Sequence, residues 1–326
     1  MRITLITPAP PGSKAGNRAT AERWERLLSR EGHQVNVVTD YQGEPCDLFI
    51  ALHAWRSREA VRRFRETFPD TPLIVVLTGT DIYDHQHRFP DDTLYAMAQA
   101  DCLIGLHRRV ALDIPARFAE KLVTVLQSAD SVSGRDASTG HKGQFQVCVI
   151  GHLRAEKDSL RAAKAARLLP QTSGITVVNA GKAHNDEWQA AAQEEQANNG
   201  RFQWLGELDR GASQRLMLNS RLMVISSVME GGANVVSEAC RMALPILASD
   251  ISGNIGLLGE GYPGYFRTGD EQDLARLLQK AEQSPEFVNT LARWVSNCAS
   301  AFTPDAEQSS LAEALCRATA KSRKSP

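Results

Sequence analysis

Apolar residues along this 326-residue chain gather in short runs, and between most of those runs the pattern changes to a period near 3.6. Residues 2–7 read as a strand and residues 8–16 as a proline- and glycine-rich loop. Asn17 then stands where a helix cap belongs, ahead of an apolar face made by Ala21, Trp24, Leu27 and Leu28. Strand-like runs return at 35–38, 48–52, 73–77, 103–106 and 122–126, with helical patterns between most of them, including 55–68 and 92–100. Strands alternating with helices predict a parallel, doubly wound sheet.

Residues 128–144, SADSVSGRDASTGHKGQ, are rich in serine, glycine and charge and nearly free of apolar side chains, as expected of a linker. The alternation then restarts, with strands at 147–150, 175–179, 202–205, 222–226 and 246–248. Helices are expected over 159–169, 186–197 and 212–219, through Glu238, and over 271–282, 286–301 and 306–318. The expected organisation is an α/β protein of two Rossmann-like domains, 1–127 and 145–302, joined by 128–144. A tail, 303–326, carries a last helix that packs back on the first domain. Two such domains would face a cleft with the carboxyl ends of both sheets, where open α/β sheets bind ligands.

A chain of this length suits roughly two ordinary domains. With 42% hydrophobic and 23% charged residues and a net charge of -1, it gives no reason to expect nucleic acid or an anionic membrane as partner. Cys46, Cys102, Cys148, Cys240, Cys298 and Cys316 form no C-x-x-C pair and read as reduced, packed thiols, which implies a reducing cytoplasm. The N-terminal apolar run ends at prolines too soon for a signal peptide or a membrane span.

Chemistry concentrates in residues 229–246, MEGGANVVSEACRMALPI, directly after the apolar run Leu222, Met223, Val224, Ile225. The order is strand, glycine turn, helix. Glycines let backbone approach a ligand, and the free N–H groups of a helix starting near Ala233 suit a phosphate. Glu230 in the turn is placed to accept from sugar hydroxyls, and Glu238, one turn beyond Asn234, to take both hydroxyls of a ribose. The constellation suits a nucleotide-sugar. The plainer alternative is a Rossmann-like βα turn with two unrelated surface glutamates.

The second half, with WLGEL at 204–208, ISSVMEGGANVVSEA at 225–239 and PILAS at 245–249, is similar to the nucleotide-binding half of GT-B retaining glycosyltransferases. Within that superfamily the whole chain resembles the selenosugar synthases of selenoneine biosynthesis. That resemblance rests on TPAPPGSKAGNRAT (7–20), EPCDLFIALHAWRS (44–57), TGTDIY (78–83), VIGHLRAEKD (149–158) and SGNIGLLGEGYPGYF (252–266). It implies a GT-B fold and transfer of a sugar from UDP-N-acetylglucosamine or UDP-glucose to the selenium of selenophosphate, yielding a selenosugar, UDP and phosphate. By the same resemblance Glu230 meets the transferred sugar and Glu238 the ribose. Amides of Gly231, Gly232, Ala233, Asn234, Val235 and Val236 lie near the diphosphate and sugar, and backbone at Glu207 and Leu208 holds uracil. The superfamily's arginine after the strand-ending glycine is replaced by His152. Lys157 matches the lysine five positions on, and Arg154 lies between.

Charge building on the departing diphosphate calls for donors, which helix amides and Lys157 supply without a metal. No cofactor is expected, and no D-x-D run stands where a magnesium-bound diphosphate would want it. The competing metal idea, Asp81, Asp84, His85 and His87, is weighed against a polar surface loop. Selenophosphate is already an anion and needs a positive, donor-rich seat rather than a base. The candidates are Gly12, Lys14, Asn17 and Arg18 on the first βα turn, Arg56 beside His53, and Thr78, Gly79, Thr80 and Asp81. Their plainer roles are helix cap for Asn17, solvated charge for Lys14 and Arg18, core histidine for His53 and strand-closing turn for Thr80 and Asp81. Asp81 or His53 could orient the water that splits the selenium–phosphorus bond. Alternatives to this reading are a UDP-sugar-dependent hexosyltransferase or epimerase on the same plan, and a UDP-sugar-binding sensor without catalysis.

Overall fold

The computed structural model describes residues 1–13, 15–132 and 145–322; Lys14 and most of the expected linker lie outside them. The chain forms two compact units, one of Met1–Ser128 with Pro304–Pro326, the other of Ala129–Thr303.

The first unit runs β1 (Arg2–Ile6), α1 (Gly16–Arg30), β2 (Gln34–Val38), β3 (Leu48–Leu52), α2 (Arg58–Thr67) and β4 (Leu73–Leu77). After β4 come a π-helical turn, Asp81–His85, then α3 (Gln86–Arg88), α4 (Pro90–Gln99), β5 (Cys102–Gly105), α5 (Val110–Asp113) and β6 (Leu122–Thr124). Its six strands lie in the order β2-β1-β3-β4-β5-β6, and every pairing is parallel. β3 and β4 are buried at every residue, because helices cover both faces of a parallel sheet. Leu48, Ile50 and Leu52 pack with Trp24 and Leu28 of α1, while the alternate residues Phe49 and Ala51 pack with Val61, Phe64 and Met97.

The second unit runs β7 (Phe145–Ile150), α6 (Arg161–Arg167), β8 (Ile175–Ala180), α7 (Asp186–Asn198), β9 (Phe202–Trp204), α8 (Arg210–Asn219) and β10 (Leu222–Ile225). It continues with α9 (Asn234–Arg241), β11 (Ile246–Ser249), α10 (Ser252–Leu258), β12 (Tyr265–Phe266), α11 (Glu271–Gln283) and α12 (Pro285–Cys298). The strand order is β12-β11-β10-β7-β8-β9, again parallel. Strands β8 and β9 follow β7 on one side, and β10 returns on the other, so the sheet reverses direction between β7 and β10. Open α/β sheets place ligand sites at that reversal, beyond the carboxyl ends of the strands.

A final helix, α13 (Pro304–Ser322), belongs to the first unit and adds Leu311, Ala314 and Leu315 to the core beneath α1. One buried carboxylate ties it down. Glu307 accepts from the Arg23 guanidinium at 2.8 Å, Trp24 Nε1 at 2.7 Å, Ser128 N at 2.9 Å and Ser128 Oγ at 2.5 Å. All six cysteines are free thiols, four of them buried. No helix among the described residues is long and apolar enough to cross a membrane.

Several expectations about local structure need correction. Asn17 does not cap α1: the helix starts at Gly16, and the flanking Ala15 carbonyl takes the amides of Arg18 and Ala19. The helix expected over 55–68 begins at Arg58, because the amides of Ala54 and Trp55 are committed to Asp81 and the chain bends at His53. The stretch 81–88 is helical rather than a surface loop, and α10 and β12 fall in a glycine-rich stretch whose periodicity is too short to read.

Removing the Glu307 carboxylate leaves the buried Trp24 N–H without its acceptor and takes an ion-pair partner from Arg23. Glu307→Ala is expected to lower stability by about 2–4 kcal/mol in denaturant titration, whereas Glu313→Ala on the same helix, an exposed-side control, should change it by less than about 0.5 kcal/mol.

Candidate active site

At the reversal of the second sheet, two loops are laced together before any side chain of interest is placed. Ser226 Oγ, just past β10, donates to the carbonyls of Lys157 at 3.2 Å and Asp158 at 2.9 Å, and the Val228 amide donates to the Glu156 carbonyl at 2.9 Å. This holds the 3₁₀ turn Ala155–Lys157, which follows β7, against the loop following β10. In consequence the Lys157 ammonium donates to Glu230 Oε1, and Ser227 Oγ donates to the same oxygen at 2.6 Å. Glu230 is buried, with only 5% of its surface exposed, so its charge is neutralised by a partner rather than by water.

Behind Glu230 stands the start of α10. Ser249 Oγ donates to the Ser227 carbonyl at 2.5 Å, and Asn254 Nδ2 donates to the Ser249 carbonyl at 3.0 Å. Gly253 comes so close that a Cβ there would lie 2.3 Å from the Glu230 carbonyl oxygen. Only glycine allows this approach.

Helix α9 opens at Asn234 with Ala233 as its flanking residue; no side chain caps it and no acid sits in its first turn. The start of α9, with Gly231 and Gly232 just ahead of it, is therefore the positive end of a helix a short turn beyond Glu230. Val235 and Val236 follow in the first turn, and Glu238 sits half-buried further along the same helix.

His152 and Arg154 leave the same sheet edge as Lys157. Burial lowers the His152 pKa below its ordinary value, and the neighbouring Arg154 and Lys157 charges push it further the same way, against an opposing pull from Glu207. His152 is thus held toward its neutral form between the charged side chains of Arg154 and Lys157. Glu207 is exposed and Leu208 half-buried beyond β9, after Gly206 turns the chain with φ of 68°.

A second polar cluster lies at the carboxyl edge of the first sheet. His53 follows β3 with φ of 77°, a left-handed conformation that few residues other than glycine and asparagine take without cost. Its Nδ1 lies 2.7 Å from Asp81 Oδ1. The Asp81 carboxylate also accepts from the amides of Ala54 and Trp55 at 3.0 Å, and from the amide and hydroxyl of Thr78 at 2.9 and 2.8 Å. Burial alone would push this carboxyl up, but the His53 charge and hydrogen bond, with His85 and the Trp55 amide, outweigh it and hold Asp81 well below the usual carboxylate range.

Thr80 Oγ1 lies 3.1 Å from His53 Nε2, and the His85 ring stacks over that of His53 with centroids 5.3 Å apart. Trp55 lies against His85 and Phe89. His53, Asp81 and His85 could together face a metal ion by distance. Both Asp81 oxygens are nevertheless already filled by named donors, so the geometry is that of a carboxylate–histidine dyad. Asp81 and His85 are buried, Asp84 half-buried and His87 exposed, which corrects the picture of a polar surface loop.

The π-helical turn is braced at Tyr83, whose hydroxyl donates to Asp113 at 2.9 Å and lies 3.0 Å from His107 Nε2. Burial pushes His107 down to about 4, with Asp113 opposing and Arg109 reinforcing the shift.

Among the remaining candidates, Gly12 sits in a turn with φ of 78°, Arg56 is exposed beside His53, and Gly79 lies between Thr78 and Thr80. Asn17 is in the first turn of α1. Arg18 is not a solvated charge: its side chain is 12% exposed and pairs with Glu22 at 2.7 Å. Ser227, Ser249 and Gly253 had no place in the sequence reading. The only hint of them was a pair of serines after β10 and an S-G step after β11.

Residues 135–299 match the glycosyl transferases group 1 family. The chain belongs to that family. Comparison with curated protein sequences gives no match. Among solved structures, this glycosyltransferase is similar to HepE of Anabaena in complex with UDP-glucose, at 16% identity and TM-score 0.77, covering 97% of this chain and 99% of that one. It is similar to the sucrose-phosphate synthase of Thermosynechococcus elongatus at 14% identity and TM-score 0.77, covering 98% and 99%. A glycosyltransferase of Rickettsia africae matches at 10% identity and TM-score 0.74, covering 100% and 99%. At these identities the likeness establishes the fold, and that fold is GT-B.

Gly253→Ala forces the Glu230 segment to move. It is expected to lower kcat/KM of the glycosyltransferase by about tenfold or more while leaving the melting temperature within a few degrees of wild type, read by steady-state kinetics and calorimetry. For His107 the folded pKa lies below the unfolded one, so its neutral form favours the fold fully above about 6.5 and that contribution fades as pH falls toward about 4. Denaturant stability measured across that window should fall more steeply in wild type than in His107→Gln.

Proposed function

We propose that this protein transfers a hexosyl group from a UDP-sugar, UDP-N-acetylglucosamine or UDP-glucose, to the selenium of selenophosphate, and that its final products are a selenosugar, UDP and phosphate. The observation that carries the donor half is the Lys157–Glu230 pair beside the uncapped start of α9, at the reversal of a parallel sheet. HepE of Anabaena, of the same fold, binds UDP-glucose. The acceptor half is supported by the sequence resemblance running nearly the whole length of the chain.

In this reading the diphosphate takes the place of Glu230 as the partner of Lys157. Backbone amides of the turn and the first residues of α9, Gly231 to Val235, receive the phosphate oxygens, with Val236, whose amide donates to the Ala233 carbonyl at 2.9 Å, beside them, and the carboxylate so released accepts from hydroxyls of the sugar. Glu238 takes the ribose hydroxyls, and backbone at Glu207 and Leu208 takes uracil. As the glycosyl–phosphate bond opens, charge grows on the departing UDP, and Lys157 with Arg154 and the helix amides meets it. These fixed donors cost no reorganisation during the reaction, and no metal is needed in this scheme. His152, neutral at physiological pH, adds a hydrogen bond rather than a charge. Selenophosphate attacks as an anion, and Gly12, Lys14, Asn17, Arg18, Arg56 and the turn Thr78, Gly79, Thr80 are the candidates for its seat.

A second reading, a hydroxyl acceptor in place of selenophosphate, is favoured by one observation: His53 Nδ1 lies 2.7 Å from the buried Asp81 carboxylate, the kind of acid–histidine pair that a hydroxyl acceptor calls for and selenophosphate does not.

Incubation with UDP-N-acetylglucosamine or UDP-glucose and selenophosphate, followed by mass spectrometry, should show a selenium-bearing sugar and UDP. Sugar transfer only to added alcohols would overturn the acceptor assignment. Lys157→Ala is expected to lower kcat by about 100-fold or more. Glu238→Ala should chiefly raise KM for the donor, and equal loss of UDP affinity in Glu230→Ala and Glu238→Ala would refute the division of roles.

A further inference from the structure

Asp158, directly after Lys157, is left-handed, with φ of 43° and ψ of 46°. Among the described residues other than glycine only His53 and Ala243 share a positive φ. The turn demands it. The Asp158 amide closes the 3₁₀ turn on the Ala155 carbonyl at 3.1 Å, and the chain then reverses. Lys157 faces Glu230, while Ser159, 2% exposed, is tucked the other way, its Oγ donating to the His152 carbonyl at 3.0 Å and its carbonyl accepting from Asn179 Nδ2 at 3.1 Å. Glycine would take this conformation without strain, yet a carboxylate stands here, and strain of this kind gathers at functional sites.

The carboxylate is committed to Arg161. Arg161 Nε donates to Asp158 Oδ2 at 2.7 Å and Nη2 to Oδ1 at 3.4 Å, and Nη1 donates to Glu271 at the start of α11. Arg161 is the first residue of α6, an end of the helix that repels a cation, so the guanidinium is held there by the two acids and not by its own helix. With 17% of the Arg161 side chain and 18% of the Asp158 side chain exposed, this pair is shielded more than a surface salt bridge. A brace therefore runs from the strained residue behind Lys157 to α11, within one unit.

Lys157 needs such a brace once its partner is gone. Its four-carbon side chain is flexible, and in the proposed reading the diphosphate takes the ammonium from Glu230. From then on the ammonium is aimed by the backbone of Lys157 and Asp158, whose carbonyls Ser226 Oγ holds at 3.2 and 2.9 Å. We propose that Asp158 is a positioning residue for Lys157: its carboxylate, through Arg161 and Glu271, keeps the ammonium on the diphosphate of the nucleotide. The inference rests on the reading of Lys157 as the diphosphate's partner and adds what holds it there.

The test titrates the full-length protein with UDP and with uridine, which lacks the diphosphate, by calorimetry. Asp158→Ala is expected to weaken UDP binding about tenfold and uridine binding by less than about twofold. Lys157→Ala should weaken UDP binding by about tenfold or more, and adding Asp158→Ala to it should cost less than about a further twofold, because the carboxylate acts only through the ammonium. Asp158→Gly supplies the left-handed backbone without the carboxylate and should lose as much as Asp158→Ala. Asp158→Asn keeps both the backbone and an oxygen for Arg161, and should stay within about threefold of wild type. Arg161→Ala removes the brace from its far end, should give the same pattern, and serves where the Asp158→Ala protein does not fold.

Equal losses for UDP and uridine in Asp158→Ala would make the residue a general prop of the fold and overturn the inference. So would an undiminished loss in the Lys157→Ala background, or UDP binding by Asp158→Gly at the wild-type level, which would leave the backbone conformation as the whole effect. Wild type that binds no UDP, or Lys157→Ala that binds it as tightly as wild type, is a different result, and it removes the underlying reading of the donor site itself.

Discussion

The ion pair between Lys157 and Glu230 is the contact on which the donor half of this protein depends. Neither residue is placed by its own helix or strand. Lys157 sits on a single 3₁₀ turn and Glu230 in a loop, and each owes its position to bonds made by neighbours: Ser226 and Val228 on one side, Ser227, Ser249 and Gly253 on the other. A buried carboxylate without its ammonium partner would be expensive, so the pair holds the two loops together. In the proposed reading the same two groups serve a nucleotide-sugar separately, Lys157 its diphosphate and Glu230 its sugar, so that binding would exchange one set of charge-assisted bonds for another instead of burying new charge.

The first unit solves a comparable problem in the opposite way. Asp81 is buried and ionised, and its compensation comes chiefly from His53, with His85 and the committed amides of Ala54, Trp55 and Thr78 completing the set. Amides cannot be drawn off by a substrate. The donor-side carboxylate is held by side chains alone, whereas Asp81 is permanent scaffolding that fixes the His53 ring. Family membership and the GT-B fold account for the two sheets. The left-handed histidine held by a buried acid lies in the first unit, outside the residues that match the family.

Legibility in the sequence followed the length scale of the interaction. β3, β4 and β10 could be read directly because a strand covered on both faces is apolar at every position, and no nearby residue competes with that signal. The start of α9 was readable from E-G-G-A-N, since glycines before a helix have few other uses. The start of α2 was not, because Ala54 and Trp55 give their amides to a residue 26 or 27 positions away. Asn17 looked like a cap by type, yet the helix began one residue earlier without one. Arg18 looked solvated by type and lies instead along its own helix on Glu22.

What the amino-acid sequence determined by itself was the set of local choices: which segments are strands, where glycine opens a helix, which acids and bases stand at strand ends, and that none of the cysteines pair. Periodicity and residue type act within a few positions, and those decisions are local. Tertiary structure alone decided that Lys157 meets Glu230 across 73 residues, that Gly253 must be glycine because a distant carbonyl passes over it, and that Asp81 is a buried anchor rather than a surface acid. Each of these depends on which loops the strand order brings to the same edge of a sheet, and strand order arises from packing of whole faces, which no short stretch of chain encodes.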